Sequence, residues 1–124
     1  LDAARVAREK AYCPYSGFRV GAALLDENGQ VHVGCNVENA AYPQGSCAEA
    51  GAIPAMIAAG GPRIVTIAVA GGGENKTRAC RPCGGCRQRI HEFSDDETRI
   101  IVKDDDEDWH TYTVADLLPS SFHL

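Results

Sequence analysis

Residues 18–39 read F-R-V-G-A-A-L-L-D-E-N-G-Q-V-H-V-G-C-N-V-E-N, two runs rich in apolar and β-branched residues on either side of Asn28-Gly29. Asn-Gly accepts the left-handed backbone of a tight reversal, so the runs read as antiparallel strands over 18–26 and 30–39. Before them, Ala3, Val6, Ala7 and Ala11 recur at helical spacing, which predicts a short amphipathic helix over 2–12. After them, Tyr42-Pro43-Gln44-Gly45 is a loop, and Ser46 can cap a helix running toward Gly60. Pro54 inside that helix removes a backbone hydrogen bond and predicts a kink or a restart. Residues 63–70 form a β-branched run typical of a buried strand, and 71–77 read as a loop. A helix is expected over 83–93, strands over 98–103 and 112–114, and a last helical turn over 116–118, stopped by Pro119. The order α, β, β, α, β, α, β, β with a short terminal helix is that of an α/β domain, a mixed sheet covered by helices.

At 124 residues the chain is expected to form a single domain, 1–124. Its 44% apolar and 23% charged residues exclude collagen-like and low-complexity classes. No run approaches the ~20 apolar residues of a membrane span, and the first thirty residues lack a signal layout, so a cytoplasmic protein with no membrane partner is expected. With no initiating Met, a few residues are expected ahead of Leu1. The net charge of −5 is concentrated: eight acidic residues lie within 95–108, beside only Arg99 and Lys103. Without a basic stripe to neutralise phosphates, nucleic acid is not an expected partner, and the ligand should be small. The acidic run 104–108 reads as a solvated turn that lacks the glycine of a calcium loop. Gly71-Gly72-Gly73 has no following Lys-Ser/Thr and reads as a connection, not a phosphate cradle.

Cysteines stand at 13, 35, 47, 80, 83 and 86. A disulfide scaffold is disfavoured by the chain's size, the missing export signal and the crowding of Cys80, Cys83 and Cys86, which in a reducing compartment points to metal. Cys83-Gly84-Gly85-Cys86, with Pro82 at the helix start, puts two sulfurs on one side of a first turn, where the helix dipole favours thiolates. Cys47-Ala48-Glu49, just after the other helix cap, offers a third sulfur. Three ligands leave a vertex for water, as in catalytic zinc, and Glu49 beside it can carry that water's proton. Read alone, Glu49 is more simply a charge favouring its helix's first turn. An iron–sulfur cluster would need a cysteine where Ile90 stands. Cys13 and Cys35 read as small buried residues, and His32, His91, His110 and His123 have no ligand spacing.

Together, Cys47-Ala48-Glu49 and Pro82-Cys83-Gly84-Gly85-Cys86 match the H-x-E…P-C-x-x-C signature of zinc deaminases in its all-cysteine form. The chain resembles the cytidine deaminase family, in its small tetrameric class, over nearly its whole length. Further matching segments are Tyr12-Cys13-Pro14-Tyr15-Ser16 with Phe18, Val20-Gly21-Ala22-Ala23-Leu24, Asn36-Val37-Glu38-Asn39-Ala40, Cys86-Arg87-Gln88 and Leu117-Leu118-Pro119-Ser120-Ser121-Phe122. The resemblance implies a mixed five-stranded sheet in a three-layer α/β/α sandwich, a Zn2+ cofactor on Cys47, Cys83 and Cys86, and Glu49 as the catalytic proton carrier. It implies hydrolytic deamination of cytidine and 2'-deoxycytidine in pyrimidine salvage, with a nucleoside and water as partners and a homotetrameric assembly. Asn36 and Glu38 would read the ribose hydroxyls, Phe18 would stack on the pyrimidine, and the Ala48 N–H would bond the base carbonyl. Tyr15, Tyr42 and Phe122 would line the pocket near a neighbouring subunit, although as residues Tyr15 and Tyr42 read as core packing. Alternatives are a related aminopyrimidine deaminase, such as one acting on blasticidin S, and a non-catalytic zinc-stabilised binding domain. Where all-cysteine relatives carry an arginine after the glutamate, this chain has Ala50. The charge of three thiolates must then be offset by helix N-termini and by Arg81, Arg87 or Arg89. The tail after Phe122 is shorter than in many relatives.

Overall fold

The computed structural model describes residues 1–73, 76–104 and 106–124. Glu74 and Asn75 of the expected 71–77 loop, and Asp105 of the expected acidic turn, lie outside these. The elements are α1 (Asp2–Arg8), β1 (Arg19–Asp26), β2 (Val31–Cys35), a 3-10 turn (Tyr42–Gln44), α2 (Glu49–Ala58), β3 (Ile64–Gly73), β4 (Lys76–Arg78), α3 (Gly84–Glu92), β5 (Arg99–Lys103), β6 (Trp109–Tyr112) and α4 (Val114–Leu117).

The expected hairpin is the start of the sheet, with Gly21 opposite Cys35 and Leu25 opposite Val31. Its reversal rests on Gly29, at φ 81°, and on Asp26, whose carboxylate accepts the backbone N–H groups of Asn28 and Gln30 at 2.8 and 3.0 Å. The strand order is β2-β1-β3-β5-β6, with β3 and β5 parallel and the other neighbours antiparallel. This is the mixed five-stranded sheet; a sixth short strand, β4, folds back on the end of β3.

Each face of the sheet carries helices, which makes three layers. α1 lies so close to β1 that a Cβ on Gly21 would sit 2.1 Å from the Ala4 carbonyl oxygen. That layer is thin and packed with Ala4, Ala23, Ala68 and Ala70. On the other face α2 presses on β2, where a Cβ on Gly34 would meet the Ala48 carbonyl oxygen at 2.3 Å. The main core fills this side, with Leu24, Met56, Ile67, Ile90, Ile100 and Val102 all essentially inaccessible to solvent.

Several boundaries differ from the sequence reading, each for a local reason. α1 stops at Arg8 because the chain turns so that Tyr12 can exchange backbone bonds with Asn36 and Glu38. β2 stops at Cys35 because the Asn36 side chain replaces the ladder, accepting from the Val20 N–H and donating to the Phe18 carbonyl. Ser46 does not cap α2; it pairs with Val37 in both directions, and the helix starts at Glu49. α2 then runs through Pro54 with no restart, because the proline lies on its exposed side. Gly71-Gly72-Gly73 is not a connection but the end of β3, paired with β1 and β4. Gly71 is required there, since a Cβ would lie 2.5 Å from the Cys80 Cβ and 3.1 Å from the Phe18 ring. β6 comes earlier than expected, because Thr113 already opens α4 through a reciprocal cap with Asp116. The acidic turn is only partly solvated: Asp104 is buried, accepting hydrogen bonds from Arg81 and from the Tyr112 hydroxyl.

Candidate metal centre and pocket

Two helix starts converge at one end of the sheet. α2 and α3 pack side by side, bringing Cys47, just before α2, against Cys83 and Cys86 at the start of α3. The ligand atoms of these three residues lie within 4.8 Å of one another, and the Cys47 and Cys83 sulfurs are 3.9 Å apart. All six cysteines are free thiols. Zinc–sulfur bonds of about 2.3 Å at tetrahedral angles place sulfurs roughly 3.8 Å apart, so the spacing fits one metal ion and not a disulfide.

The electrostatics fit as well. Burial, followed by the negative charge of Glu49 and Cys47, pushes the Cys86 thiol far above its ordinary value. Burial also raises Cys47, whereas the backbone N–H of Cys86 holds Cys83 down. Three crowded sulfurs, with Cys86 buried and Cys47 and Cys83 open to the pocket, are the donor set of a thiolate metal site, where a cation joins them and offsets their charge. Glu49, the first residue of α2, is 3% exposed. Its carboxyl is raised by burial, and its own backbone N–H, the Cys86 thiol and the Arg89 charge oppose that rise.

A pocket of about 600 Å³ opens beside the sulfurs. Its walls include Asn36, Glu38, Tyr42, Cys47, Ala48 and Glu49. The size is that of a small-molecule site. Asn36 is braced by its two bonds to the β1 entrance. Glu38 is fixed by the backbone N–H groups of Tyr15 and Ser16 at 2.9 and 3.2 Å and by the Ser16 hydroxyl at 2.5 Å. Those donors, the hydroxyl foremost, hold its carboxyl below the usual range. Tyr15 and Tyr42 do not pack in the core: they are 55% and 77% exposed and meet edge to face at the rim. Phe18 is not among the wall residues; its ring lies by Gly71 next to Cys80, which does line the pocket. Phe122 is exposed and outside this pocket, its carbonyl accepting from Gln88.

Over residues 1–102 the chain matches the family described as the cytidine and deoxycytidylate deaminase zinc-binding region. The chain belongs to this deaminase family. Among its relatives, the cytidine deaminase of Sporosarcina psychrophila is 42% identical over 116 residues, which covers 94% of this chain and 83% of that protein. The probable cytidine deaminase of Dictyostelium discoideum is 41% identical over 122 residues, covering 98% and 80%. The crystal structure of cytidine deaminase from Burkholderia pseudomallei superposes with a TM-score of 0.86 at 41% identity, covering 98% of this chain and 94% of that one. Zinc is accordingly the metal that the three sulfurs of this deaminase-family chain serve.

Two contacts of residues already named from the sequence were not read there. Ser16, quoted only as part of a matching segment, clamps Glu38. Arg81, on the pocket wall, is tied to Asp104 at 2.9 Å across 23 residues, a pairing no local pattern announces.

Proposed function

We propose that this chain hydrolyses cytidine and 2'-deoxycytidine to uridine and 2'-deoxyuridine, releasing ammonia. The observation that carries the reading is the buried Glu49 carboxyl beside three convergent sulfurs at the end of a nucleoside-sized pocket. When bound, zinc supplies a Lewis acid that lowers the pKa of water toward about 7, so hydroxide is available at neutral pH.

The remaining tasks fall to the chain's own groups. Glu49 takes the proton of the attacking water and delivers it to pyrimidine N3 as C4 is attacked. Glu49 then takes the proton of the new C4 hydroxyl and passes it to the C4 amino group, which departs as ammonia as the C4 carbonyl forms. Its burial keeps bulk water from intercepting either transfer. The Ala48 N–H, unpaired within its helix because it lies at the N-terminal end of α2, donates to the base carbonyl. Phe18 stacks on the pyrimidine, while Asn36 and Glu38 take the sugar hydroxyls; each has lone pairs or N–H groups beyond those used internally. Tyr42, on the wall of this pocket, lies near a neighbouring subunit in a homotetramer, and the exposed Phe122 lines the pocket at that same boundary.

Residues 1–124 act as one domain, and the setting is cytoplasmic pyrimidine salvage. Six free thiols favour a reducing compartment. Among the described residues no helix is long and apolar enough to cross a membrane. Neither nucleic acid nor membrane is needed as a partner.

Glu49→Gln tests the reading: zinc content should stay, and ammonia release from cytidine should vanish. Retained turnover refutes the proton-carrier role, and preference for free cytosine or blasticidin S over cytidine refutes the sugar contacts.

A further inference from the structure

Three thiolates around one divalent cation leave an excess negative charge, and Ala50 offers nothing to offset it. Arg81, Arg87 and Arg89 are the cations at hand in sequence, and the structure separates them. Arg81 pairs with the Asp104 carboxylate at 2.9 Å. Arg87 turns to backbone, donating to the carbonyls of Pro82 and Leu117 at 2.8 Å each, where it braces the turn before α3 against α4. Arg89 instead folds back along α3 and puts Nη1 3.8 Å from the Cys86 sulfur. Its path lies over Gly85, where a Cβ would come within 3.2 Å of the same nitrogen. Among the described residues that sulfur is its only hydrogen-bond partner.

The contact falls where charge is hardest to tolerate. Cys86 has no solvent exposure, so no water solvates its sulfur, whereas Cys83 is exposed. A guanidinium N–H is always charged and weakly hydrated, well suited to a buried thiolate. We propose that Arg89 is a positioning residue that supplies the counter-charge of the zinc–sulfur centre through Cys86, in place of a cation at Ala50. This rests on the zinc-deaminase reading above. It acts on the metal's retention and on the orientation of Cys86, and it does not touch substrate.

Zinc affinity of the full chain, measured by competition with a chromogenic chelator, tests this. Arg89→Gln should bind zinc roughly 10- to 100-fold more weakly, the usual loss when a partner of a metal ligand is removed. Metal-free Arg89→Gln should unfold at the same urea concentration as the metal-free parent. Arg89→Lys should recover most of the affinity. Arg89→Gln combined with Ala50→Arg should recover it as well, because position 50 is in the first turn of α2, directly after Glu49 and three residues along the chain from Cys47. Cobalt-substituted protein gives a second readout, since the sulfur-to-metal absorption should shift in Arg89→Gln and return in the lysine variant. Unchanged zinc affinity in Arg89→Gln, or a lysine variant no better than the glutamine one, overturns the proposal and leaves the deaminase reading standing. A parent chain that binds no zinc overturns both.

Discussion

Gly34→Ala is a single methyl group placed at the joint between fold and site. Position 34 lies on β2 under the first turn of α2, and the new Cβ would sit 2.3 Å from the Ala48 carbonyl oxygen and 2.5 Å from the Ala52 N. Ordinary contact needs at least 3.4 Å, so the start of α2 must retreat from the sheet by about 1 Å. Overpacking of this kind destabilises by about 1–3 kcal/mol. The larger effect is on the site, because Cys47, Ala48 and Glu49 ride on that first turn while Cys83 and Cys86 stay with α3. A metal site tolerates shifts of only about 0.2 Å in its bond lengths, and a 1 Å misplacement of reacting groups costs on the order of 100-fold in rate. Urea unfolding, bound zinc and cytidine turnover should therefore separate: a folded protein with a lowered unfolding midpoint, depleted zinc and turnover down roughly 100-fold. Gly51→Ala is the control, since its Cβ would meet Gly34 at an ordinary 3.5 Å. It should fold and turn over normally and gain up to about 1 kcal/mol from helix propensity. Full zinc and full turnover in Gly34→Ala would refute the view that β2 sets the height of the catalytic turn.

Other perturbations should act separately. Asp26 is held below the ordinary carboxylate value, chiefly by the His32 ring nitrogen at 2.7 Å and against the upward push of burial. Its stabilisation is fully present above the unfolded value near 3.9 and is lost as pH falls through the lower folded value; urea midpoints of the parent should drop across that window more steeply than those of Asp26→Asn. Ser16→Ala removes the shortest bond holding Glu38 and should raise KM for cytidine by about tenfold, the weight of a hydrogen bond to a charged group, with kcat little changed. Met56→Ala, on the buried face of α2, should cost about 2–5 kcal/mol in chemical denaturation.

Much of this was legible in the sequence because the signals were local. Asn28-Gly29 announced the hairpin, and Cys47, Glu49, Cys83 and Cys86 sat at helix starts whose spacing carries its own chemistry. What could not be read were features made by tertiary contact. The glycines at 71–73 looked like a loop and form a strand end, because their need for glycine comes from Cys80 and Phe18 rather than from turn geometry. Tyr15 and Tyr42 looked like core and stand at a rim, since no periodicity distinguishes an aromatic that covers a pocket from one that fills a core. Asp104 looked solvated and is buried because Arg81 and Tyr112 reach it from other elements.

X-ray absorption at the zinc edge of the purified protein reads the coordination shell itself. One zinc per chain with three sulfurs at about 2.3 Å and one light atom at about 2.0 Å is the expected result. A fourth sulfur, supplied by Cys80, would mean a closed structural site with no place for water and would contradict the account.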